Sequence, residues 1–238
     1  MSVSRIGVLT GLNGNMATVE FQDYVMQNEV AFILHNDERL KSEVIRVTGN
    51  RAELQVYEDT KGLKLGEKVE FTGELLSVEL GPGLLGQIFD GLQNPLPQLA
   101  ERSGFFLKRG LYLEALDNKK EWEFTPIAKI GQKLKPGEKL GFTHEGIFEH
   151  WIMAPFVLKG AVEVEKIAIK GKYNIRHVIA ELKDEHGDIH PCSMSQVWPV
   201  KVPITSFAEK LKPSRPLTTK IRIIDTLMPV ALGGTYCI

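Results

Sequence analysis

Apolar and polar positions alternate along the first eighty residues. Residues 5–10, 16–21, 44–48, 52–57, 68–72 and 75–80 are short runs of this kind. A period of two sends successive side chains to opposite faces of a strand. The runs come in pairs. Gly11-Leu12-Asn13-Gly14-Asn15 separates the first two, Gly49-Asn50 the next two and Gly73 the last two. Asn-Gly and related pairs tolerate positive φ and mark tight turns, so the spacing predicts three hairpins. Short strands joined by such turns predict a small β-barrel or sandwich. A barrel would also leave no open strand edge.

The texture then changes. Gly81-Pro82-Gly83-Leu84-Leu85-Gly86 leads into residues 87–92, which read as one or two helical turns. Asn94-Pro95-Leu96-Pro97 stops them, and 97–102 forms a second short helix. From about 105 to 195 the chain reads as β-rich again, with turn signals at Lys135-Pro136-Gly137, Gly160, Gly171 and His186-Gly187-Asp188. Residues 147–152 and 162–169 alternate, the latter placing Val162, Val164 and Ala168 on one face. Residues 173–182 read as one further strand or extended run. The tail is punctuated by Pro199, Pro213 and Pro216. Residues 221–227 form one or two helical turns before Pro229, and Tyr236-Cys237-Ile238 reads as the start of a buried strand.

Composition narrows the classes. The 238 residues suffice for one large domain or two ordinary ones. Lys plus Arg is 29 against 30 for Asp plus Glu, so no bulk charge draws the chain to nucleic acid or anionic lipid. The longest uncharged stretch, residues 6–19, has 14 residues including three Gly and two Asn. That is short of the roughly 20 apolar residues a membrane helix needs. The N-terminus lacks an apolar secretory core, and two cysteines 45 residues apart make no disulfide framework. Both features predict a cytoplasmic protein.

Candidate chemistry is sparse. Gly81-x-Gly83-x-x-Gly86 matches the dinucleotide fingerprint between a strand and a helix. The fingerprint also needs a βαβ unit with an acidic ribose ligand. Asn94-Pro95 breaks that pattern, which favours a Gly-rich turn joining two domains. His186, His190 and Cys192 carry zinc-type ligands, but no fourth ligand is evident. His144 and His150 stand six apart and read as isolated strand histidines. Glu114-Ala115-Leu116, with Ala154-Pro155 and Lys159-Gly160-Ala161-Val162, is similar to biotinyl and lipoyl carriers. Those carriers need a modified lysine next, and here Asp117 stands in its place. No nucleophile–base set can be assembled, and Gly-x-Ser-x-Gly and His-Glu-x-x-His are absent. No residue is assigned a catalytic, cofactor-binding or metal-binding role.

Several segments together resemble the catalytic A subunit, or alpha chain, of V-type and A-type rotary ATPases. They run in order as 81–96 (from Gly81-Pro82-Gly83-Leu84-Leu85-Gly86 through Asp90-Gly91 to Pro95-Leu96), then Phe106-Leu107-Lys108-Arg109-Gly110. Glu149-His150-Trp151-Ile152-Met153-Ala154-Pro155 follows, continuing to Gly160-Ala161-Val162, and then Trp198-Pro199-Val200-Lys201. The last is Arg222-Ile223-Ile224-Asp225-Thr226-Leu227-Met228-Pro229-Val230 with Gly233-Gly234-Thr235.

The resemblance implies a mainly β chain. It divides into an N-terminal β-barrel (1–80), a connecting segment with short helices (81–110), a β-rich inserted bulge (111–195) and the beginning of an α/β RecA-like nucleotide-binding domain (196–238). About 90 residues separate Phe106 from Trp198, which fits the insertion that distinguishes A subunits from their relatives. Thr218-Thr219-Lys220-Ile221-Arg222 departs from the Thr-Gly-Gln-Arg of many members. The family's phosphate loop, Gly-Pro-Phe-Gly-x-Gly-Lys-Thr, is expected beyond Ile238, so this stretch is expected to be architectural and to lack the Mg-ATP site. The implied partners are B subunits in an alternating ring, the central stalk and the peripheral stalk. The implied activity is ATP hydrolysis or synthesis coupled to proton or sodium transport, peripheral to a membrane. The alternatives are a stand-alone β-rich interaction module and an inactive carrier-like domain.

Overall fold

In a computed structural model of the chain, residues 5–104, 106, 108–204, 211–235 and 237 are described. Strands make up 44% of the described residues and helices 6%, so the protein is mainly β, as its alternation predicts. By internal contacts it falls into two units, Met1–Pro203 and Ile204–Ile238.

The first six strands close into a barrel. They are β1 (Arg5–Asn13), β2 (Met16–Phe21), β3 (Glu29–His35), β4 (Glu38–Thr48), β5 (Arg51–Val56) and β6 (Lys68–Leu75). Their order around the barrel is β1-β2-β5-β4-β3-β6, and β6 pairs back onto β1. The alternation does the sorting. Ala17, Val19 and Phe21 of β2, with Ala52, Leu54 and Val56 of β5, turn inward onto Leu9, Ile33, Leu40, Val44, Val69 and Phe71. Phe21 and Phe71 meet edge to face with ring centroids 5.9 Å apart. The hairpins at Asn13-Gly14 and Gly49-Asn50 form as their turn residues predict.

The hairpin expected at Gly73 does not form. Strand β6 continues through Gly73 to Leu75, and the next strand, β7 (Ser77–Leu80), leaves the barrel to pair with a distant partner. Between the pairs Ala31↔Phe71 and Glu29↔Leu75, β6 carries two more residues than β3, which is a bulge. A buried carboxylate causes it. Glu29 is fully buried and accepts 2.7 Å bonds from the N–H groups of Met26 and Gly73, and 2.6 Å from the Arg5 guanidinium. Gly73 sits at φ 75° with Arg5 Nη2 only 2.8 Å from where a Cβ would stand, so a side chain there would be both strained and crowded.

Residues 87–92 are not helical. They form turns around Asp90, whose Oδ1 accepts from Leu92 N–H (2.9 Å) and Asn94 N–H (2.7 Å). Such side-chain bonds compete with helix formation. The helix α1 (Leu96–Ser103) begins with Pro97 in its first turn, where no intrahelical N–H is needed, and buries Leu99.

Two four-stranded sheets follow. One has the order β11-β10-β8-β13, built from β8 (Glu121–Pro126), β10 (Lys139–Glu145), β11 (Phe148–Met153) and β13 (Gly171–Asn174). The other has the order β15-β14-β12-β9, from β9 (Lys133–Leu134), β12 (Val162–Ile167), β14 (Ala180–Lys183) and β15 (Ile189–Cys192). Leu140 of the first sheet packs with Leu134, Val162, Val164, Leu182 and Cys192 of the second. Trp122, Phe124, Ile152, Ile175, Ile179 and Met194 form a second cluster, and Ile167 touches both. Val162 and Val164 are buried as predicted, but the register slips between Val164 and Lys166. The single extended run expected over 173–182 is two strands in different sheets. Asn174 Oδ1 accepts from Arg176 N–H (3.0 Å) and His177 N–H (2.9 Å), turning the chain across.

Strand β16 (Gln196–Pro199) pairs with β7, Trp198 opposite Val78. In the second unit, α2 (Arg222–Leu227) matches the expected turns over 221–227. Asp225 accepts from Thr219 N–H (2.9 Å), Thr219 Oγ1 (2.6 Å) and Lys220 N–H (2.9 Å), which hold its carboxyl below the usual range. The strand expected at Tyr236-Cys237-Ile238 falls on residues of which two lie outside the described set. Among the described residues no helix is long and apolar enough to cross a membrane.

Candidate functional site

The Gly-rich turn after β7 is where the most sequence signals converge. Gly83 adopts φ 108°, a conformation side chains rarely take, with Trp122 Cζ2 3.5 Å from its missing Cβ. That geometry turns two backbone N–H groups toward one point. Gly83 N–H (2.7 Å) and Leu85 N–H (3.0 Å) both donate to Oε1 of Glu145, the last residue of β10. The other oxygen, Oε2, lies 2.8 Å from Nδ1 of His150 across the β10–β11 hairpin. Glu145 is buried. Converging amides of this kind make an anion-binding concavity, and here the chain's own carboxylate fills it. The fingerprint Gly81-x-Gly83-x-x-Gly86 thus forms a turn in which the Gly83 and Leu85 N–H groups are already used.

The flanks of the turn are fixed as well. Gln93 brackets β7, accepting from Glu79 N–H and donating to Glu79 C=O, both at 2.7 Å. The Glu79 carboxylate pairs with Arg176 at 2.7 Å, and Arg176 Nε donates to Asn118 at 3.0 Å. Asn94 donates through Nδ2 to Asp90 (2.8 Å) and accepts from Leu113 N–H (2.9 Å).

A second group of contacts ties residues 109–112 to the barrel. Arg109 donates to Glu38 (2.7 Å) and to the carbonyls of Asp59 (3.1 Å) and Lys61 (2.5 Å). Gly110 N–H donates to the Glu58 carboxylate at 3.0 Å. Tyr112 OH accepts from Lys41 N–H at 2.7 Å and donates to Arg39 C=O at 3.2 Å. Burial pushes the Tyr112 hydroxyl and the Glu58 carboxyl upward and the Lys41 amine downward. A cavity of about 560 Å³ lies here, lined by Tyr57, Glu58, Asp90, Asn94 and Arg109 among others. All five of these polar side chains bond to neighbours, Tyr57 donating to Glu43 at 2.6 Å. From just after β16, Lys201 reaches the buried Glu43 at 2.6 Å.

The other candidates separate. His190 Nε2 meets Asp184 Oδ2 at 2.9 Å, while His186 is exposed at the hairpin tip. Cys192 is buried, and burial pushes its thiol up to about 12. Among the described residues no group of three or more His, Cys, Asp or Glu is placed to hold a metal ion. His144 is exposed with its ring edge-on to Phe142. Asp117 is exposed and accepts from Lys119 N–H at 2.8 Å, while Leu116 is buried in the core beside Trp122. The residues the sequence did not flag are Glu145, Glu79 and Arg176. Alternation gave no signal for Glu145, because it shares a face of β10 with Gly141 and Thr143 while Leu140 and Phe142 mark the other.

The closed barrel and the two four-stranded sheets define a class of mainly β modules. Two family profiles fall on them in chain order. Residues 5–73 match the β-barrel domain of the ATP synthase alpha/beta family, and residues 113–201 match the ATP synthase alpha/beta subunit barrel-sandwich domain. The chain belongs to this family, and it corresponds to the N-terminal part of V-type ATP synthase alpha chains. It is 54% identical to the V-type ATP synthase alpha chain of Treponema denticola over 232 residues, 98% of this chain and 39% of that one. It is 52% identical to alpha chain 1 of Treponema pallidum and 50% identical to the alpha chain of Borrelia garinii subsp. bavariensis, again over 98% of this chain. The chain thus spans about two-fifths of the length of these relatives.

Proposed function

We propose that these residues serve a V-type rotary ATPase as the architectural N-terminal part of its catalytic alpha chain. The parent would couple ATP hydrolysis or synthesis to proton or sodium transport, binding Mg-ATP through residues outside this stretch. The observation that carries the reading is 54% identity across 98% of the chain, with the family profiles falling in order on the barrel and the paired sheets. The junction supports an architectural role, because its converging polar groups bond to one another. Residues 1–80 would supply the barrel that packs beside B subunits in an alternating ring. Residues 81–110 would connect it to a bulge at 111–195 that faces stalk subunits, and 196–238 would open the RecA-like domain. The assembly would sit on the cytoplasmic side of a membrane, peripheral to it. The coding sequence downstream of codon 238 tests this. An in-frame Gly-x-x-x-x-Gly-Lys-Thr is expected, and a stop codon there contradicts the reading.

A further inference from the structure

We propose that Glu145 is an internal ligand that latches the Gly81–Gly86 turn, making the β10–β11 hairpin the element that holds or releases the barrel-to-bulge junction. Three donors converge on one buried carboxylate: Gly83 N–H at 2.7 Å, Leu85 N–H at 3.0 Å and His150 Nδ1 at 2.8 Å. Ion pairs with Lys or Arg occur at Glu29, Glu43 and Glu79, but among the described residues the Glu145 carboxylate pairs only with His150. The carboxylate is therefore held by two backbone dipoles and an imidazole, as an anion is held in a nest. The two bonds from the turn span 62 and 60 residues of sequence, so they hold tertiary structure. On either side the turn runs into fixed segments, β7 through Glu79–Arg176 and residues 90–94 through Asp90 and Asn94. Within the turn, the hydrogen bonds that Gly83 and Leu85 donate both go to the hairpin's carboxylate. His150 pins that carboxylate from the facing strand, so a shift of one hairpin strand against the other withdraws the ligand.

Amide hydrogen exchange of the full 238-residue chain tests the latch at single residues. In the native chain the Gly83 and Leu85 amides are expected to exchange slowly. In Glu145→Ala they are expected to exchange at least about tenfold faster, with the Leu54 amide in the barrel unchanged. Formate, added against chloride at equal ionic strength, is expected to enter the emptied nest and slow both amides again. Unchanged exchange at Gly83 and Leu85, or fast exchange that formate does not slow, overturns the latch. Where Glu145→Ala does not fold, Glu145→Leu fills the space without an acceptor. Faster exchange at the same two amides is expected, and native rates there overturn the proposal.

Discussion

At the scale of single residues, carboxylates decide the local structure. Glu29 bends β6 through Gly73, Asp90 replaces a helix with turns, and Glu145 fills the Gly-rich turn. None of these roles was legible in the sequence. Alternation says which face a residue takes, but it does not say that a buried acid will collect backbone N–H groups from a distant segment. Asp184 shows the same behaviour in the open. The hydrogen bond from His190, followed by those from the Asp188 and His186 N–H groups, holds its carboxyl at about 2, against an ordinary value of 3.8. A depressed carboxyl stabilises the fold above its unfolded value and loses that contribution as pH falls through the folded one. The 184–188 hairpin should therefore keep its amide shifts down to about pH 4 and lose them toward pH 2. In Asp184→Asn the shifts of His186 and Asp188 should no longer titrate in that window, as NMR would record.

At the scale of elements, periodicity and turn chemistry carried most of the barrel. Strands β2 and β5 lie where alternation puts them, and the turns at Asn13-Gly14 and Gly49-Asn50 close as their residues demand. Strand β3 escaped because Glu29, Val30 and Ala31 are all buried, which breaks the period of two. The run over 173–182 was misread as one strand because a side-chain cap on Asn174, rather than Gly or Pro, makes the turn. Within the connecting segment, Arg109-Gly110 lies in a motif that carried the family resemblance, and the structure gives it a physical role. Arg109 stitches Glu38 to two carbonyls near the 59–61 turn. Charged hydrogen bonds of this kind contribute about 1.5–3 kcal/mol each, less where solvent reaches them. Arg109→Ala should therefore lower the urea-unfolding free energy by about 1–3 kcal/mol. A loss near zero would mean that Gly110 and Tyr112 hold the segment without it.

At the scale of the whole molecule, the class and the barrel were legible because they depend on many positions at once. The candidate site was not, because a match to Gly-x-Gly-x-x-Gly records turn geometry and leaves open which acceptor the turn holds. Glu145 occupies that acceptor position, and beside it Gln93 brackets Glu79, whose carboxylate pairs with Arg176. On the proposed function, these residues are architectural and nucleotide chemistry lies in other parts of the rotary enzyme. The most direct test is a titration of this chain with Mg-ATP, followed by calorimetry and by the amide resonances of Gly83 and Leu85. The predicted result is no binding heat and no movement of either resonance. Saturable binding that shifts those two amides would contradict the account.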